Sequence, residues 1–162
     1  MALKGVVGAG PEVVLGKSGA AVNTPADTSE DTLATINIPA NAMGANGVLR
    51  IYTLWSFTSS ANNKTLRIRF SGASGTIYMN PVFTTSVGYA ALTMIANRNA
   101  TNSQVGFASA ATNGGLGSSS ASGNVTSSVD TTAATSLVIT GQKASAGETL
   151  TLESYLVELI PG

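Results

Sequence analysis

Any chemistry in this chain has to come from its eight carboxylates, because its 162 residues include no histidine and no cysteine. Without imidazole or thiol, neither a Ser-His-Asp nor a Cys-His nucleophile can be assembled, and ordinary zinc sites are excluded as well. Two carboxylates suffice for glycoside hydrolysis, provided that they flank a cleft at the right separation. Here Glu12, Asp27, Glu30 and Asp31 precede the middle of the chain and Asp130, Glu148, Glu153 and Glu158 follow it. None falls within residues 32–129, the stretch that would line a central cleft. Asp27, Glu30 and Asp31 loosely resemble an oxygen-ligand cluster for calcium, but the glycine and spacing of an EF-hand loop are missing, so a solvated turn is expected. The chain reads as a protein that is not an enzyme, with no cofactor, no metal and no catalytic residue.

The same acid-free middle holds five basic residues, Arg50, Lys64, Arg67, Arg69 and Arg98, in a chain whose net charge is zero. One expectation is that the acidic ends pair with the basic middle inside one molecule. The sharper one is that Arg67 and Arg69 form a basic face that meets an acidic face of another subunit. Five dispersed cations without interleaved aromatics make a poor footprint for nucleic acid, which is therefore not expected as a partner. Trp55, Tyr52, Tyr78 and Tyr89 could instead stack on the apolar face of a sugar. Trp55 shares a strand face with Ile51 and Phe57 and is assigned to the core, while Tyr52 and Tyr78 stay open for such a role.

These side chains are positioned by β-strands. Residues 47–75 read as a hairpin whose second arm alternates, with Leu66, Ile68 and Phe70 on a dry face and Thr65, Arg67 and Arg69 on a wet one. In the first arm Leu49, Ile51, Trp55 and Phe57 lie on one side and Val48, Tyr52 and Leu54 on the other. Such a strand is expected to be covered on both faces. Residues 58–63 are turn formers joining the arms. Further strands are expected at 32–39, 76–79, within 82–94, at 103–108, 137–140 and 149–159, with a low-complexity loop at 113–124. Some eight short strands and no convincing helix give an all-β fold, a β-sandwich or jelly roll, occupying residues 32–162 with Leu49, Ile51, Trp55, Leu66, Ile68, Phe70, Leu150 and Leu152 in its core.

Residues 1–31 read as an extended N-terminal arm. Val6, Val7, Val13, Val14 and Leu15 are apolar but interrupted by Gly5, Gly8, Gly10, Pro11 and Gly16, so the segment forms neither a helix nor a core of its own. It is too short an apolar run for a signal peptide or a membrane span, and no membrane partner is expected. An extended segment of this kind can add to the edge of a neighbour's sheet. At the other end, the apolar phase shifts from Leu150 and Leu152 to Tyr155, Val157 and Leu159, as if both faces of the last strand were covered. With only 10% charged residues, the surface reads as one held against neighbours. Tyr155 and Leu159 are then expected at the contact of a homotrimer.

The glycine-rich arm, the segment LRIYTLWSFTSSANNKTLRIRFSG, the loop NGGLGSSSASGN and the closing TSLVITGQKASAGETLTLESYLVELI together resemble small structural proteins of tailed bacteriophages, over about residues 32–160. The resemblance implies a jelly roll that assembles, usually as a trimer, on the virion as a decoration (cement) protein, head fibre or tail component. Its partners would be other copies of itself and the major capsid protein, and its place the capsid surface. A receptor-binding or fibre-tip module for host glycans is the alternative.

Overall fold

The structure, a computed structural model, describes residues 11–107 and 124–162. These residues form twelve strands and no helix. In chain order they are β1 (Val13–Ser18), β2 (Val22–Asn23), β3 (Glu30–Ile38), β4 (Val48–Phe57), β5 (Lys64–Phe70), β6 (Thr76–Met79), β7 (Val82–Phe83), β8 (Gly88–Asn97), β9 (Gln104–Phe107), β10 (Asn124–Ser127), β11 (Thr135–Lys143) and β12 (Leu150–Ile160). A seven-stranded sheet runs β1-β12-β4-β8-β9-β10, with β2 also on β12, and a five-stranded sheet runs β3-β11-β5-β6, with β7 also on β5. Taking β1 with β2, and β6 with β7, as single interrupted strands, the two sheets have the order of a jelly roll, extended on one side by the β9–β10 hairpin.

The core lies between the sheets and contains all eight residues expected there, Leu49, Ile51, Trp55, Leu66, Ile68, Phe70, Leu150 and Leu152. Alternation put the right side chains inward because one face of each strand must stay dry. It did not give the right partners. β4 and β5 are not a hairpin: β4 pairs with β12 and β8, whereas β5 pairs with β11, β6 and β7 in the other sheet. Residues 58–63 are an arch crossing the roughly 10 Å between stacked sheets. The arch is held by Lys64, a fully buried lysine whose Nζ donates to Ser60 Oγ and to the Asn62 carbonyl, each at 2.8 Å, and lies 3.6 Å from Glu148. Lys143, its cross-strand neighbour, donates to the Glu148 carbonyl at 2.8 Å.

Three further expectations are changed by the geometry. The phase shift in the last strand is a β-bulge at 152–154, which inserts Glu153 as an extra residue and returns Val157 and Leu159 to the interior. It therefore signals no second covered face, and Leu159 is buried in its own core rather than offered to a neighbour. Residues 13–23 of the expected arm lie on β12 of the same chain, from Val13 opposite Leu159 to Asn23 opposite Thr151. A bulge at 14–16 lets Leu15 pack on the core, and Gly16 sits where a Cβ would come within 3.2 Å of Ile36. The glycines thus admit a strand edge that the broken apolar pattern hides. Val6 and Val7, and the 113–123 part of the low-complexity loop, lie outside the described residues. β10 had no signal in the sequence, because NVTS is short and polar.

Candidate functional site

The outer faces of the two sheets differ in kind. On the five-stranded sheet, Arg67 and Arg69 of β5 point outward and converge on Glu30 of β3. Arg69 Nε and Nη2 each donate to one Glu30 carboxylate oxygen at 2.7 Å, and its Nη1 donates to the Gly75 carbonyl at 3.3 Å. Arg67 Nη1 lies 3.0 Å from Glu30 Oε2, while its Nε and Nη2 donate to Asn80 at 3.1 Å and Gln142 at 3.0 Å. The Thr140 hydroxyl also donates to Glu30. The basic face is engaged within its own chain, as the first of the two charge expectations had it. The bidentate contact from Arg69 holds the Glu30 carboxyl below its ordinary pKa, with Thr140 and Arg67 adding to it against an opposing effect of burial.

A depressed carboxylate pKa stabilises the fold above the unfolded value, about 4.3, and that contribution is lost as pH falls through the lower folded value. The melting temperature of the wild type is therefore expected to exceed that of Glu30→Gln at neutral pH. The gap should begin to narrow as pH falls below the unfolded value of about 4.3 and close only below the depressed folded value, where protonated glutamate and glutamine become alike. A gap independent of pH in thermal scans would mean that the ion pair contributes nothing.

The outer face of the seven-stranded sheet is apolar instead. Tyr52 and Leu54 of β4 lie beside Leu92 and Ala90 of β8 on one side and Leu156 and Ser154 of β12 on the other. Arg50 is flanked in the same way by Met94 and Glu158, with Val14 of β1 beyond. Leu54, Leu92, Met94 and Val14 are 47%, 55%, 50% and 49% exposed. The expectation that β4 would be covered on both faces is met on its inner face only. A shallow groove along β4 is lined by Tyr52, Leu54, Ala90, Ser154, Tyr155 and Leu156. Among the described residues, charge on this face comes from Lys17 of β1, from an ion-paired group in which Arg50 contacts both Glu12 and Glu158, and from Glu153, which accepts a hydrogen bond from Ser56 of β4.

Of the residues expected to make contacts with neighbours, Val13 and Val14 are exposed at the β1 edge, Leu15 and Tyr155 pack partly against the core, and Leu159 is buried. Of the four aromatics considered for sugar stacking, Trp55 and Tyr78 are buried, Tyr89 packs on Phe83, and Tyr52 stays at the surface. Tyr52 alone is no platform. No three His, Cys, Asp or Glu residues converge on a metal-sized site among the described residues, and no helix there is long and apolar enough to cross a membrane. What the sequence reading missed is the exposed pair Leu92 and Met94. Both sit in the phase of β8 opposite to the buried Thr93 and Ile95, so strand alternation carries the signal.

No protein-family model matches the chain, and no curated protein matches it. Among solved structures, that of the infectious bursal disease virus Gx strain is similar over 94% of this chain at 11% identity, with a TM-score of 0.42. The VP2 subviral particle of the same virus is similar over 94% of this chain at 14% identity and a TM-score of 0.38. In both cases the match takes in 32% of the other chain, so this chain spans about a third of the length of the proteins it resembles.

Proposed function

We propose that this chain is a non-enzymatic structural component of a bacteriophage virion, a capsid decoration protein that adds to the head lattice as a homotrimer and stabilises it. The observation that carries the reading is the contrast between the two outer faces: one is a hydrogen-bonded network of charged and polar groups, the other a broad apolar sheet. Soluble monomers rarely leave more than a few hundred Å² of contiguous apolar surface in water. A chain with 10% charged residues and no histidine or cysteine has the make-up of an assembly part rather than of a catalyst. The resemblance to small structural proteins of tailed phages favours the virion as the place of assembly. Residues 13–23 are committed to the chain's own sheet, so contact with the lattice falls to the sheet faces, the loops and residues 1–10.

The test uses phage heads prepared without this protein. Purified protein is expected to bind them saturably, at a fixed number per capsid, and to raise the temperature at which the heads release DNA. Absence of binding to heads, together with binding to tails or to host cells, would replace the decoration role with the fibre-tip role.

A further inference from the structure

We propose that the outer face of the seven-stranded sheet, centred on Tyr52, Leu54, Leu92 and Met94, is where copies of this chain pack against one another. The inference rests on the reading of the chain as an assembly component and names the occupant of its apolar face. Size is the first argument. Residues 48–56 of β4 run about 30 Å and the four strands β1, β12, β4 and β8 span about 20 Å, on the order of 600 Å² of flat area before side-chain relief. That approaches the roughly 800 Å² that each partner contributes to a standard stable interface. Glycans take narrower sites with convergent polar groups, and this face offers few.

Charge is the second argument. A face that meets its own copy must not repel it, and here Lys17 and Arg50 nearly balance Glu12, Glu153 and Glu158. The balance is also polarised. Two carboxylates around Arg50 leave a negative surplus there, and Lys17 supplies a positive site a turn of the pleat away. Such polarity lets the lysine of one copy meet the surplus carboxylate of the next. Tyr52 and Leu54 lie at the middle of the patch, where side chains that dominate an interface are found.

Sedimentation velocity separates the outcomes. The wild type is expected to sediment as an assembly of two or three copies through the micromolar range. Leu92→Glu, a change at an exposed position, should place an unpaired charge in the contact and weaken association about 100-fold, with an unchanged far-UV circular dichroism spectrum. Met94→Lys on the same face should behave alike, which guards against one variant that fails to fold. Asn37→Lys, on the outer face of the other sheet, should keep the wild-type mass. A wild type that stays monomeric, or an assembly untouched by both face variants, overturns the inference. If a monomeric wild type coats empty heads and Leu92→Glu does not, the face meets the lattice protein: the inference falls and the proposed function stands. If the assembly dissociates on Leu92→Glu but never binds heads, the inference stands and the proposed function falls.

Discussion

Replacing Gln104 with leucine is expected to destabilise the protein by about 3 to 6 kcal/mol, an effect as large as removing a core side chain, because each buried polar group left unpaired costs about 1–3 kcal/mol. Gln104 is completely buried in β9 and all of its hydrogen-bonding capacity is used. Its Nε2 donates to Asn97 Oδ1 at 2.8 Å and to the Val129 carbonyl at 3.0 Å. Its Oε1 accepts from Ser127 Oγ and from the Val129 N–H, both at 2.9 Å. The network continues outward: Asn97 donates to the Gly44 carbonyl at 2.6 Å and to Thr131 Oγ1 at 3.0 Å, and the Thr131 hydroxyl donates to the Thr101 carbonyl at 2.7 Å. Tyr78 reaches Ser127 at 2.7 Å. One amide thus ties β8, β9, β10 and the segment leading into β11. Leucine matches its volume but satisfies none of the four partners. Ser127 retains Tyr78, while Asn97 Oδ1 and both polar groups of Val129 lose their bond. Urea denaturation of both proteins checks the figure. A loss under about 1 kcal/mol would mean that water enters and replaces the amide.

That residue also marks where legibility in the sequence ends. Alternation placed Leu66, Ile68 and Phe70 inside and Arg67 and Arg69 outside because the period of a strand is a local property of the backbone. The pairing of strands is not local. β4 and β5 follow one another in the sequence, yet the arch at 58–63 and the pairing of β4 with β12, about a hundred residues later, put them in different sheets. Both arrangements bury the same side chains, so the apolar pattern could not choose between them. Bulges were hidden for a related reason. The shift at Glu153 reads as a second apolar face when register is assumed to be perfect, and as an inserted residue once the partner strand is known. The apolar outer face was half visible: Tyr52 and Leu54 were recognised as a second apolar phase, and their exposure emerged only when nothing in the described chain was found to cover them. Gln104 carried no signal at all, since a lone glutamine in a polar stretch looks the same whether it is solvated or clasped in a core.

Trp55→Ala is expected to cost about 3–5 kcal/mol, the range for deleting a large buried aromatic, whereas Trp55→Phe should cost no more than about 1 kcal/mol. The asymmetry follows from the indole nitrogen. Trp55 is 2% exposed, lies between Leu152 and Tyr89 in the sheet, and its Nε1 has no hydrogen-bond partner among the described residues. An orphaned buried donor is itself destabilising by about 1–3 kcal/mol. Phenylalanine removes that donor while keeping most of the packing, so the smaller cavity and the relieved desolvation offset each other. Alanine removes the donor too, but leaves a cavity that the surrounding strands cannot close. Because Trp55 is the only tryptophan, unfolding has to be followed by circular dichroism. The variants also bear on assembly. Trp55 is the inward neighbour of Leu54 on β4, so a cavity behind the strand loosens the backbone that presents the apolar face. Trp55→Phe should keep the sedimentation behaviour of the wild type, and Trp55→Ala should lose association along with stability. Equal costs for the two substitutions would indicate that Nε1 holds a bond in solution, and that packing alone does not account for its burial.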